Sequence, residues 1–258
     1  MAPANHPVYI VTGASRGYGA AIVRQLLNID PNCTVLGTAR AADKLAALQR
    51  ELPADRFHYV AGDITSESVA RELVDYASTL WGRIDALVHN AGVLEPVGKI
   101  ADVPMADVRA AFDVNLFSVI QLTKAALPLL RAATPGRIVL VSSGAASKAY
   151  HGWAAYSATK AALNMLAESL AVEEPGVVTV ALRPGVLDTD MQAQIRALDP
   201  AKMPGSHAWF VQTHSEGKLV DPMVSAHVAA ALAVRVTADL SGKFIDWQGD
   251  ETRAYQLQ

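Results

Sequence analysis

Tyr156 and Lys160 stand four residues apart in the stretch SSGAASKAYHGWAAYSATK, which runs from Ser142 to Lys160. A helix beginning near Trp153 would put both on one face, one turn from each other. A phenol ordinarily ionises near pH ~10, and bringing that to neutrality takes roughly 3 units, or about 4 kcal/mol of preference for the phenolate. One cation about 4 Å away, at a surface-like effective dielectric, supplies roughly that much. Such a pair exchanges a proton with a substrate oxygen at working pH. Ser143 ends the apolar run RIVLV, where a strand should stop and point its last hydroxyls out of the sheet edge, in a position to hold the same oxygen. With 7 tyrosines and 8 lysines in the chain, a Tyr-x-x-x-Lys arises by chance about 0.2 times, so the pair gains weight only from the elements around it.

Those elements alternate. Short β-rich runs are each followed by a longer segment of helical period: VYIVTG and a helix to about Leu27; CTVLGTA and Asp43 to Leu52; FHYVAGD and Ser66 to Trp81. IDALVHNAG precedes a long helix from Met105 to Arg131, and GRIVLVSS precedes the Tyr156 helix, Trp153 to Glu173. VVTVALRP, an irregular stretch, a helix from Pro222 to Val236 and KFIDW complete the chain. This rhythm predicts an α/β fold, a doubly wound parallel sheet with helices on both faces, in one domain over residues 1–258. The near-continuously apolar strands fit a sheet covered on both sides.

Composition narrows the function classes. The chain has 258 residues, 51% of them hydrophobic, with a net charge of −3 and its 22 basic residues scattered. That argues against a nucleic-acid surface. Cys33, the single cysteine, excludes an internal disulfide and reads as a buried core thiol. No run approaches 18 apolar residues and the start of the chain lacks a leader pattern, so no membrane partner and a cytoplasmic location are expected. No metal site is expected.

The first turn, TGASRGYG, sets Gly13, Gly17 and Gly19 between a strand and a helix. Glycines there let backbone approach a pyrophosphate, whose charge the free amides of a helix N-terminus favour. The spacing departs from G-x-G-x-x-G, and a merely tight connection also accounts for it. At the end of the second strand, where an acid would bind a ribose 2′-hydroxyl and an arginine a 2′-phosphate, the chain reads GTAR. Arg40 holds that place and Arg16 lies within the glycine turn; together they favour NADP(H) over NAD(H). Asp43 reads as a cap on the following helix. Asp63 and Ile64 follow the third strand, where they would hold an adenine, and Asn90, Ala91 and Gly92 follow the fourth, where small residues let backbone lie against a cofactor. Asn115 interrupts the apolar face of the long helix, either as a satisfied buried amide or as a kink or water site beside the chemistry.

Assembled, these residues resemble the short-chain dehydrogenase/reductase family over essentially the whole chain. TGASRGYG, GD followed by Ile64, NAG, Asn115, Ser143, Tyr156-x-x-x-Lys160 and RPGVLDTDM occur in that family's order and at its spacing. The resemblance implies a Rossmann-type fold in which Tyr156 is the general acid/base and Ser143 orients the carbonyl. It gives Lys160 the lowering of the Tyr156 pKa and the nicotinamide ribose, and Asn115 a proton-relay water. It carries cofactor contacts onto Gly13, Ser15, Arg16, Gly17, Tyr18, Gly19, Arg40, Asp63, Ile64, Asn90, Ala91 and Gly92, as well as Tyr156 and Lys160. Pro184, Gly185, Leu187 and Thr189 match the segment that seats the nicotinamide carboxamide. His89 departs from the pattern, since the family often has Asn there.

Within the family, ASRG followed by an aromatic and Gly, LAVEEPGV, PGVLDTDMQ, GKLVDPMVSA and SGKFIDW resemble the sepiapterin and benzil reductases. The implied reaction is pro-4S hydride transfer from NADPH to a ketone or α-dicarbonyl, with Tyr156 giving the proton. The alternatives are a 3-oxoacyl-thioester reductase or alcohol dehydrogenase of the same family, and, in another class, a nonenzymatic NADP-sensing protein. Retention of all four catalytic positions argues against the last. The stretch from Gln192 to Lys218, with Trp209 and Phe210, suggests a lid over a compact substrate, although ordinary core or interface aromatics read the same way. Alternation in FIDW places Asp246 beside Phe244, either in a strand-end salt bridge or, as the likeness to sepiapterin reductases implies, against a pterin. A homodimer is expected through the two long helices, whose KAAL segments would permit close approach.

Overall fold

A computed structural model describes residues 6–257. Residues 1–5, where the leader reading began, and residue 258 lie outside the described residues. Seven strands form one parallel sheet: β1 (Val8–Thr12), β2 (Thr34–Ala39), β3 (Phe57–Ala61), β4 (Ala86–His89), β5 (Gly136–Val141), β6 (Val177–Arg183) and β7 (Phe244–Asp246), in the order β3-β2-β1-β4-β5-β6-β7. The order reverses between β1 and β4, so the crevice in which such sheets bind ligands opens beyond the C-terminal ends of those two strands.

Alternation along the strands divides the core in two. Tyr9 and Val11 of β1 and Val139 and Val141 of β5 pack under α1 (Gly17–Ile29), α2 (Ala42–Glu51) and α9 (Pro222–Arg235). Val8 and Ile10, with Ile138 and Leu140, face α3 (Glu67–Trp81), α5 (Ser118–Ala132) and α6 (Ala154–Glu173). This is the doubly wound arrangement that the apolar strands require.

Three departures from the sequence reading have physical causes. The helix read as Met105 to Arg131 is α4 (Met105–Phe112), a π-helical turn (Asp113–Phe117) and α5. Asn115 sits in that turn, a widening that occurs often at functional sites. The stretch read as irregular holds two short helices, α7 (Asp190–Ala197) and α8 (His207–Ser215), separated by a segment containing Pro200, Pro204 and Gly205 that prevents one long helix. Asp43 makes no capping bond: α2 starts one residue earlier, and Asp43 contributes only charge to its first turn.

Cys33 is fully buried, and burial pushes its thiol up to about 11, in keeping with a structural core residue.

Candidate active site

At the C-terminal end of β5 two serines diverge. Ser142 turns inward and donates to Asn164 Oδ1 at 2.6 Å, while Ser143 faces the hydroxyl of Tyr156 and accepts from the Ala145 amide at 3.1 Å. Tyr156 and Lys160 lie in α6 one turn apart, both nearly inaccessible (7% and 4%). Their relationship differs from the sequence expectation. Lys160 Nζ donates to the Val141 carbonyl at 2.7 Å and stands 5.8 Å from the centre of the Tyr156 ring. Burial raises the Tyr156 phenol above its ordinary value, with Ser143 acting in the opposite direction, and burial pushes Lys160 down to about 8. Desolvation is the largest cause for both groups, because neither has bulk water to support its charged form. In this state Tyr156 carries its proton.

Asn115 is fully buried and both of its amide N–H donors are used. Oδ1 accepts from the Val93 amide at 2.8 Å, and Nδ2 donates to Val93 O at 2.9 Å and to Thr159 Oγ1 at 3.1 Å. Thr159 in turn donates to the Tyr156 carbonyl at 2.7 Å, tying the π-helical turn to α6. The side chain therefore holds backbone in place and has no donor to spare for a relay water.

The glycine turn is held against β4 by Asn90, whose Nδ2 donates to Thr12 O at 2.9 Å and Gly13 O at 3.3 Å. Thr12 Oγ1 accepts the amides of Asn90 and Ala91, each at 3.0 Å. Gly13 has φ +68°, a left-handed conformation that side chains disfavour, and a Cβ on it would come within 2.8 Å of Asn90 Nδ2. A Cβ on Gly19 would lie 2.1 Å from the Gly13 carbonyl. The first turn of α1 carries no acidic side chain and Arg16 provides no side-chain cap, so its amides are left for an outside anion.

Other expected contacts are placed as follows. Ser15 is half-buried in the turn and Gly17 is exposed beside Thr189. Arg16 pairs with Asp190 at the start of α7. Arg40 is exposed at the end of β2, near enough to Asp63 to help hold its carboxyl below the usual range, although the Thr65 amide is the larger cause. Ile64 is buried. Gly92 lies under Lys160 and Asn115: a Cβ there would sit 3.6 Å from Nζ and 3.4 Å from Oδ1. Pro184 accepts from Ser225 Oγ at 2.8 Å, Gly185 packs on Trp247, and Leu187 is bridged to Val220.

The Tyr18 side chain points away from the crevice. Its ring is buried in the core and its hydroxyl lies 3.0 Å from Ser225 Oγ, because the second residue of α1 faces α9. Only its backbone amide remains on the anion side. Asp246 takes the salt-bridge alternative, meeting Arg183 at 3.2 Å while its Oδ1 accepts from the Gln248 amide at 2.9 Å.

Trp209 and Phe210 separate. Phe210 is buried and stacks on Trp153 at 5.4 Å, whose ring meets Tyr156 edge-on at 5.6 Å, whereas Trp209 is 47% exposed and only abuts Phe210. Trp153 and Tyr150, which the sequence reading did not assign, form with Met203 and Phe210 an apolar wall around the phenol. For Trp153 and Tyr150, a position within six residues of Tyr156 was the available signal. His89 is buried with its ring 3.0 Å from Thr123 Oγ1, and burial pushes it down to about 3, so it is neutral. It faces the core rather than the crevice.

Among the described residues, no helix is long and apolar enough to cross a membrane, and no group of three or more His, Cys, Asp or Glu is placed to hold a metal ion.

The glycine turn, the Ser143–Tyr156–Lys160 set and the parallel sheet accord with comparisons to known proteins. Residues 7–199 match the short chain dehydrogenase family model. The chain is 41% identical to a benzil reductase ((S)-benzoin forming) of Saccharomyces cerevisiae, over 94% of this chain and 96% of that protein. It is 35% identical to the sepiapterin reductase of Rattus norvegicus, over 93% and 95%. The crystal structure of a short chain dehydrogenase/reductase from Saccharomyces cerevisiae superposes with a TM-score of 0.94 at 38% identity, covering 97% of this chain and 100% of that one. The chain belongs to the short-chain dehydrogenase/reductase family, whose members are oxidoreductases that use nicotinamide cofactors.

Proposed function

We propose that this short-chain dehydrogenase/reductase is an NADPH-dependent carbonyl reductase acting on a ketone or an α-dicarbonyl compound. The observation that carries the reading is the convergence of the Ser143 and Tyr156 hydroxyls at the sheet edge, with Tyr156 protonated and walled by apolar rings. The residues fit a dinucleotide: uncapped α1 amides for the pyrophosphate, Gly92 leaving space beneath Lys160, and Arg16 and Arg40 as cations for a 2′-phosphate. NADPH, when bound, supplies the hydride.

The chain's own residues do the rest. Ser143 holds the carbonyl oxygen, and Tyr156 donates its proton to that oxygen as negative charge develops there, so both act most strongly in the transition state. Lys160, fixed by Val141, is placed above Gly92 to hold the nicotinamide ribose. Trp153, Tyr150 and Phe210 exclude water and favour a compact, flat substrate. The likeness to benzil and sepiapterin reductases supports a dicarbonyl or pterin-like substrate over an acyl thioester.

A homodimer in a cytoplasmic setting completes the proposal. In the KAAL segment of α6, Lys160 and Leu163 point inward while Ala161 is exposed and Ala162 half-buried, so the alanines remain available for close approach. Exposed Phe117 and Ile120 on the long helix and Met165 and Val172 on α6 add apolar surface. Assaying diketones, pterins, simple ketones and acyl thioesters with NADPH tests the reading. Turnover of a dicarbonyl is expected, and activity confined to acyl thioesters would overturn it.

A further inference from the structure

Arg16 and Asp190 are 174 residues apart in sequence and form an ion pair across the mouth of the crevice. Arg16 belongs to the glycine turn, and Asp190 is the first residue of α7, which precedes α8 with its Trp209 and Phe210. The same two segments touch once more, where a Cβ on Gly17 would sit 3.6 Å from Thr189 Cγ2. Asp190 is 65% exposed and makes no other side-chain hydrogen bond among the described residues, so the carboxylate is held there by the guanidinium alone. A carboxylate and a phosphate monoester are rival ligands for one guanidinium fork, and both take it through paired N–H donors.

We propose that Asp190 is an internal competitor for Arg16 and thereby sets how strongly the enzyme prefers NADPH to NADH. The proposal rests on the reading that Arg16 serves the 2′-phosphate. To do so Arg16 must leave Asp190, and the broken pair subtracts from NADPH affinity. NADH carries no phosphate at that position and leaves the pair intact. Asp190 is a positioning residue, acting through Arg16 and touching no reacting atom.

The test is fluorescence titration of NADPH and of NADH against the wild type, Asp190→Asn, Asp190→Glu, Arg16→Ala and the Arg16→Ala/Asp190→Asn double variant. Asp190→Asn should tighten NADPH about two- to fivefold, the range an exposed ion pair represents, and leave NADH unchanged. Asp190→Glu should restore the wild-type ratio of the two affinities, and in the Arg16→Ala background Asp190→Asn should have no effect on NADPH. Weaker NADPH binding in Asp190→Asn would show that the pair clamps the bound cofactor, and equal shifts for both cofactors would show that Asp190 acts through the folding of α7. Either result overturns the proposal. If Arg16→Ala leaves the NADPH to NADH ratio unchanged, the assignment of Arg16 to the 2′-phosphate fails first, a result distinct from both.

Discussion

Arg183 reaches Asp246 across the β6–β7 edge at 3.2 Å, and its guanidinium also lies against Gly144, where a Cβ would approach Nε to 3.1 Å. With its other oxygen accepting from the Gln248 amide, Asp246 fixes the end of the last strand. The pair is half exposed, so it contributes roughly 0–1 kcal/mol. Asp246→Asn is expected to lower stability by no more than that and to change KM for a pterin and for benzil in parallel, within about twofold, a partial loss for an exposed pair. Steady-state kinetics on both substrates checks this. A tens-fold rise confined to the pterin would restore the pterin-anchoring role that the likeness to sepiapterin reductases implies.

Arg40→Ala and Arg16→Ala should each weaken NADPH binding tenfold or more, roughly 10- to 150-fold for a charge-assisted contact worth about 1.5–3 kcal/mol. NADH binding should barely move, since neither arginine would have a phosphate to meet. Equal losses for both cofactors in a direct titration would remove the basis for NADP(H).

His89 gives the fold a pH dependence whose sign follows from burial. Its folded pKa, about 3, lies below its ordinary 6.5, so the unfolded chain takes up a proton that the folded chain refuses. The stability this group contributes is present above pH 6.5 and is lost as pH falls toward 3. Between pH 7 and pH 5 the loss is about 2 kcal/mol. Urea denaturation should show that loss in the wild type and its absence in His89→Asn, whatever the variant's stability at pH 7. Parallel pH curves would mean that His89 finds a compensating charge.

Phe117, Ile120, Met165 and Val172 are exposed on the long helices that frame the site. Charged substitutions at Phe117 and Met165 should convert a dimer into a monomer if these residues meet a symmetry mate. Light scattering at micromolar concentration should report a dimer for the wild type and a monomer for the double variant. A monomeric wild type would contradict the assembly.

The sheet was legible in the sequence because parallel strands buried on both faces are apolar along their length, as VYIVT and RIVLV are. Tyr156 and Lys160 were legible because a helix repeats every 3.6 residues, and Ser143 because it ends a strand. What escaped depends on contacts between distant segments. Nothing local marks that Tyr18 will turn to Ser225, that Lys160 will donate to Val141, or that Arg16 will meet Asp190. At Asn115 the sequence left a buried amide and a kink as alternatives; it could not decide, because the pairing of that amide with Val93 lies outside the helix. Thr12 and Thr159, which bind the glycine turn and α6 in place, are single hydroxyls in apolar surroundings and become informative only with their partners in view.

The central claim is that the Tyr156 proton is the one delivered to the substrate oxygen. Tyr156→Phe removes that proton and keeps the ring that Trp153 and Lys160 pack against. The decisive measurement is turnover of benzil by wild type and Tyr156→Phe at saturating NADPH, with NADPH affinity titrated on the same preparations. A loss of kcat of about 100-fold or more with unchanged NADPH affinity is predicted, as removal of a general acid requires. A variant retaining more than about a tenth of wild-type kcat would contradict the account, because general acid catalysis is ordinarily worth at least 100-fold.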